Sequence, residues 1–123
     1  MADRVLIVDD NHSFLEAARM LLEREGLTVT AVASTAEALR SAEASPPDVI
    51  LVDIFLGKES GLDLARRFAE ADGGHEGPTV ILISTHTQAD FADVIAESSA
   101  AGFLPKAELS AAAIRRIVEG GSS

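Results

Sequence analysis

Four places in this chain set chemically capable residues directly after short apolar runs. Asp9 and Asp10 follow Val5-Leu6-Ile7-Val8, and Asp53 follows Val49-Ile50-Leu51-Val52. Ser84 follows Val80-Ile81-Leu82-Ile83, and Lys106 follows Gly102-Phe103-Leu104-Pro105. Brought together, three carboxylates repel one another by roughly 1 kcal/mol per pair at 4 Å in water and by several times that near a protein surface. A cation relieves such a cluster. Hard oxygen donors, with no histidine or cysteine among them, suit Mg2+, which takes a few carboxylates plus waters and a phosphate oxygen. Lys106 adds a point positive charge and Ser84 a hydroxyl. Such a set is equipped to stabilise a transferring phosphoryl group, with an aspartate as nucleophile and an acyl phosphate as product.

Taken singly, each residue has a plainer explanation. Asp9-Asp10 would serve as a cap pair for a following helix, Ser84 as a loop hydroxyl and Lys106 as a solvated strand end. Phe103 would be an edge-strand aromatic that simply packs. The joint occurrence at four run ends, in this order, points to chemistry. Lys58 in the loop after Asp53, His12 at a helix start and His75 among glycines are expected at the surface.

The elements that must position these residues follow from pattern. The three quartets are uninterrupted and rich in β-branched residues, as strands are when both faces of a parallel sheet are covered. Leu27 to Val32 interleaves threonines with apolar residues, which suits an edge strand, and Gly102-Phe103-Leu104 suits the other edge. Between strands the period becomes helical: Phe14, Ala18, Leu21 and Leu22 predict one buried helix face. Ser13 with Glu16 and Ser34 with Glu37 form capping-box patterns, while Thr87 with Asp90 and Ser60 with Asp63 are weaker versions. Pro46-Pro47 closes the second helix, and Gly73-Gly74 with Gly77-Pro78 marks the loop before the fourth strand. The last helix is expected to run through Leu109, Ala113 and Ile117 and to stop at Gly120-Gly121. Five alternating β–α units with right-handed crossovers predict an α/β, doubly wound (βα)5 sheet in the order 2-1-3-4-5. Ligands bind outside the carboxyl ends of such strands, where strand order reverses. Asp9, Asp10 and Asp53 would therefore converge there.

Composition bounds the rest. The chain has 123 residues, 47% apolar, which is enough for one core. With no cysteine, disulfides, thiol nucleophiles and cysteine-ligated metals are excluded. The net charge of −10 disfavours direct nucleic-acid binding. The start, MADRVLIVDD, reaches two aspartates too soon for a signal peptide or a membrane span. A single cytoplasmic domain over residues 1–120 is expected, with 121–123 as a tail or the start of a linker.

At this point the pieces VLIVDDN at 5–11, VILVD at 49–53 with Gly61 eight residues on, ILIS at 81–84 and GFLPK at 102–106 are recognisable. Together they make the chain resemble a receiver domain of a two-component response regulator, a flavodoxin-like fold. GFLPKAELS is similar, more loosely, to receivers that precede a helix-turn-helix output domain. The resemblance implies Asp53 as phosphate acceptor, with Asp10, Asp53 and the backbone carbonyl of Phe55 as direct Mg2+ ligands and Asp9 acting through water. It implies Lys106 paired with the phosphoryl group, Ser84 moving to hydrogen-bond it, and Phe103 changing rotamer in step. That coupling would alter the surface of the fourth helix, fifth strand and fifth helix. Phe55 and His86, two residues past the acceptor and the hydroxyl, fall where the family tunes dephosphorylation. Gly57 stands where the family often has proline, which is expected to loosen the loop carrying Phe55.

The implied donor is a sensor histidine kinase or a phosphotransfer protein. Implied partners are an output domain or downstream protein, and a phosphorylation-dependent homodimer. The chain would catalyse only its own phosphorylation and slow dephosphorylation. Three alternatives remain. A degenerate receiver would work as an unphosphorylated docking module. An aspartyl-nucleophile phosphatase would want a second aspartate where Phe55 stands. A flavodoxin-like cofactor binder would need a phosphate loop where Asp9-Asp10-Asn11 stands.

Overall fold

A computed structural model describes residues 4–56, 59–71, 78–85 and 100–121. Five parallel strands, β1 (Arg4–Val8), β2 (Thr28–Val32), β3 (Val49–Asp53), β4 (Thr79–Ser84) and β5 (Gly102–Pro105), form one sheet in the order β2-β1-β3-β4-β5. This is the expected order, and its physical basis is visible in the side chains. Val5, Ile7, Leu51, Ile81 and Ile83 pack on one face with Leu15, Ala18 and Leu22 of α1 (His12–Arg24) and Ile114 of the last helix (Ala111–Gly121). Leu6, Val8, Ile50, Val52, Val80 and Leu82 pack on the other face, with Ala38 of α2 (Thr35–Ala44) and Leu64, Ala65 and Phe68 of α3 (Gly61–Ala71). Alternate residues of each central strand are thus buried on opposite faces, so the runs need no polar interruption. Edge strand β2 instead exposes Thr28 and Thr30.

The helix ends show where the local signals held. Ser34 caps α2, accepting the Glu37 N–H at 3.2 Å; of the expected box this half is present, while Glu37 Oε1 accepts from the Ser34 hydroxyl at 3.4 Å in place of the Ser34 N–H. Ser60 Oγ accepts the Asp63 N–H at the start of α3. The expectation at Ser13 is corrected: Asn11 is the cap of α1, its Oδ1 accepting from the Phe14 N–H and its carbonyl from the Leu15 N–H. The helix therefore starts earlier, and its buried positions are Leu15, Ala18 and Leu22. Leu21 is 41% exposed, and Phe14 packs at the margin of the core. Helix α1 ends in a Schellman motif: Gly26 takes φ 96°, its N–H donates to Glu23 O, and the Leu27 N–H donates to Leu22 O.

The last helix also begins differently from expectation. Lys106–Glu108 forms a 3-10 turn, Leu109 is a buried anchor before the helix, and Ser110 Oγ accepts the Ala113 N–H as its cap. A two-residue antiparallel ribbon, Phe55–Leu56 with Glu59–Ser60, lies between β3 and α3 and was not expected. The fourth helix expected after Thr87, the turn glycines at 73, 74 and 77, and Gly57, Lys58, His75 and His86 lie outside the described residues.

One closure is long-range. Glu25 Oε1 accepts the Ala111 N–H at 2.9 Å, placing a carboxylate on the amino end of the last helix, where the helix dipole favours negative charge. Glu25→Ala is expected to destabilise the domain by about 1 kcal/mol, and Glu25→Gln, which keeps an acceptor, by less. Thermal denaturation followed by circular dichroism measures both.

Candidate functional site

Among the described residues, the buried polar or charged side chains are Asp9, Asp53 and Ser84, with 0%, 6% and 1% of their surface exposed. All three lie at or just past the carboxyl ends of strands. Asp9 leaves β1, Asp53 ends β3 beside it, and Ser84 ends β4, in register with Pro105. Asp9, Asp10 and Asp53 each offer a carboxylate oxygen, and these oxygens lie within 4.8 Å of one another.

The backbone orients the two buried carboxylates alike. Asp9 Oδ1 accepts the Asn11 N–H at 2.9 Å, and Asp53 Oδ1 accepts the Phe55 N–H at 2.9 Å. Each is an aspartate bonding the amide two residues on, a turn this side chain readily makes. The other oxygen of each meets one ammonium: Lys106 Nζ stands 2.5 Å from Asp9 Oδ2 and 2.7 Å from Asp53 Oδ2. Lys106 reaches the site from the start of the 3-10 turn after β5, and its ammonium also lies 4.5 Å from the Phe14 ring centroid.

The loop beyond Asp53 is held closely. The Gly61 N–H donates to Ile54 O at 3.0 Å, and a Cβ at Gly61 would fall 1.7 Å from Asp53 O. Only glycine fits there without backbone movement. Leu56 is buried in the core, and Glu59 Oε1 accepts the Thr35 N–H at 3.0 Å, fastening the ribbon to the start of α2.

Burial pushes the Asp9 carboxyl above its ordinary value, and the neighbouring Asp53 charge adds to the rise against the opposing pull of Lys106 and the Asn11 N–H. Burial alone would lower the Lys106 ammonium, but hydrogen bonds and charges from Asp53 and Asp9 outweigh it and leave it raised. Counted together, three carboxylates and one ammonium carry a formal charge of −2. A divalent cation balances that charge, and the donor set is all oxygen. The residues present therefore fit Mg2+.

The structure thus brings together Asp9, Asp10, Asp53 and Lys106. Ser84 lies at the same strand-end level. Phe103 is buried on the sheet face that carries α2 and α3, with Leu82 and Val52. Phe55 is 53% exposed two residues past Asp53. Pattern alone missed two contributors. Phe14 was readable only as a core position, although an aromatic one helical turn after an Asp-Asp-Asn cap is the signal that places it at the site. Glu59 carried no local signal, since its partner Thr35 is 24 residues away. No helix among the described residues is long and apolar enough to cross a membrane.

Comparison with known proteins agrees with this fold. The family model of the response regulator receiver domain matches residues 5–119. The transcriptional regulatory protein CseB of Streptomyces coelicolor is 36% identical over 97 residues, covering 77% of this chain and 39% of CseB. The DNA-binding response regulator MtrA of Mycobacterium leprae is 30% identical over 108 residues, covering 86% of this chain and 45% of MtrA. This chain spans half or less of the length of the curated relatives it matches. Among solved structures, a two-component response regulator of the LuxR family from Aurantimonas sp. SI85-9A1 superposes with a TM-score of 0.81 at 29% identity, covering 98% of this chain and 87% of that one.

The raised Asp9 pKa has a defined sign. Between 3.8 and the raised folded value, the folded state holds the extra proton, so this group's contribution to stability falls as pH rises through that window. The Lys106 contribution runs the other way: it is present below 10.5 and lost as pH climbs through the raised value. Asp9→Asn is therefore expected to raise the melting temperature in metal-free buffer at pH 7, by about 4 °C for each kcal/mol of relieved penalty. It should also remove most of the further rise that added MgCl2 gives the native chain. Differential scanning calorimetry with and without Mg2+ reads both effects.

Proposed function

Because this chain belongs to the response regulator receiver domain family of two-component systems, we propose that it is a phosphorylation-controlled switch whose acceptor is Asp53. The observation that carries this reading is the pair of buried carboxylates, Asp9 and Asp53, sharing the Lys106 ammonium at 2.5 and 2.7 Å. Receiver domains are signalling proteins, and in this reading the chain turns over no separate substrate. The donor is the phosphohistidine of a sensor histidine kinase or a phosphotransfer protein in the cytoplasm.

In the transfer, an Asp53 carboxylate oxygen forms a bond to phosphorus while the donor's P–N bond breaks, and the leaving imidazole takes up a proton. Mg2+, held by Asp10, Asp53 and the Phe55 carbonyl with Asp9 acting through water, would neutralise the charge of the phosphoryl oxygens. Asp53 is already oriented by the Phe55 N–H, so the nucleophile needs no reorientation to react. Lys106 exchanges its Asp53 partner for a phosphoryl oxygen, moving positive charge to where negative charge collects. Ser84, at the end of β4, then donates its hydroxyl to the same group, and Phe103 repacks in response.

This biases a two-state packing of the surface around β5 and its flanking helices by adding a dianionic group. That surface is where an output domain, a downstream protein or a second copy of the chain would be engaged. Residues 1–120 form the receiver unit in this reading, with 121–123 as the tail. DNA binding belongs to relatives such as MtrA by name. In a regulator containing this chain it would fall to a separate output domain.

Incubation with phosphoramidate and Mg2+ is expected to add one phosphate, seen by intact-mass spectrometry, and Asp53→Asn to abolish it. Labelling that persists in the variant would place the acceptor elsewhere. Phe55, exposed beside the acceptor, and His86 would slow hydrolysis by shielding the acyl phosphate from water. Phe55→Ala should shorten the phosphorylated lifetime in a phosphate-release assay, and an unchanged or longer lifetime would remove Phe55 from that role.

A further inference from the structure

We propose that Phe14 is a positioning residue for Lys106, its ring acting as the platform that stations the ammonium over the acidic site. Three observations converge on it. The Lys106 Nζ lies 4.5 Å from the ring centroid, well inside the distance at which a cation is held by an aromatic face. The Lys106 side chain is only 11% exposed, so the interaction is largely desolvated, where it is strongest. The ring is also fixed by the acidic motif itself. Asp9 Oδ1 holds the Asn11 N–H, Asn11 Oδ1 holds the Phe14 N–H, and Phe14 packs against the core shared by α1 and the last helix. The cap that starts α1 therefore sets carboxylate and ring together, one helical turn apart.

The chemical consequence is specific. Lys106 has two anionic partners in the resting chain, and in the proposed transfer it exchanges Asp53 for a phosphoryl oxygen. The ring is a partner it need not give up. It keeps water off one side of the ammonium and limits how far Nζ travels. A leucine at the same place would fill space but offer no quadrupole. This inference rests on the reading of Asp53 as phosphate acceptor, but the ring–ammonium contact can be tested apart from it.

The experiment replaces Phe14 in the full chain with phenylalanines carrying one, two and three ring fluorines, which progressively weaken the π face at nearly constant shape. The rate of Mg2+-dependent phosphorylation by phosphoramidate is expected to fall stepwise with each fluorine. Phe14→Leu should be slower than the native chain by about three- to thirtyfold, while Phe14→Tyr keeps the rate. Melting temperatures should fall only slightly across the fluorine series, since packing is unchanged and only the ring–ammonium attraction weakens. A second readout needs neither metal nor phosphate: the Lys106 ammonium resonance in metal-free protein should carry an upfield ring-current shift that vanishes in Phe14→Leu. A flat fluorine series, or no such shift in the native chain, overturns the proposal. If the native chain takes up no phosphate yet the shift is present, the reading of Asp53 fails while the ring–ammonium contact stands.

Discussion

Two carboxylates that are almost wholly removed from water cannot lie side by side without a cation, and in this chain the cation is one lysine. At an effective dielectric of 20, two unit charges 4 Å apart interact by about 4 kcal/mol, a large part of what separates a small folded domain from its unfolded state. Lys106 reverses the sign of that interaction by standing between Asp9 Oδ2 and Asp53 Oδ2. One ammonium does not balance three carboxylates, and burial raises the Asp9 pKa, with the Asp53 charge adding to the rise. The site is held together and left with a net negative charge at once, so it has room for further positive charge.

The fold exists around this site in a direct sense. Placing β1 beside β3 puts Asp9 next to Asp53, and placing β4 and β5 in order on the far side of β3 brings Ser84 and Lys106 to the same rim. The aspartates are aimed by their own backbones, each accepting the amide two residues on. Orientation therefore comes from local chain geometry, and proximity comes from the sheet. The two requirements are separable, which is why short motifs at strand ends carry so much of the information.

Separability also explains what could be read without coordinates. Val49 to Val52 declare a central strand because a short, β-branched run without polar interruption suits a strand covered on both faces. Ser34 and Glu37 declare a helix start because both halves of that cap lie within four residues. Leu21 and Phe14 show the opposite case. Their helical spacing is compatible with several rotations of α1, and only the position of the Asn11 cap decides that Leu15 faces the core and that Phe14 faces Lys106. Glu25 and Glu59 are less legible still. Each caps a helix that begins 86 or 24 residues away, a contact that exists only once the sheet has closed.

These tertiary caps bear on how a change at Asp53 can travel. On the side of the ribbon, the loop after Asp53 is fixed at three points: the Gly61 amide on Ile54 O with no room for a Cβ, Leu56 in the core, and Glu59 on the start of α2. Movement there would break all three. Across the site, Lys106 sits on a single 3-10 turn and Ser84 at the end of β4. A group added to Asp53 therefore meets a stiff wall on one side and an exchangeable ion pair on the other. The easier displacement runs through β4 and β5 rather than through α2 and α3. The direction of any displacement at Asp53 is in this way set by where the loop after it is pinned.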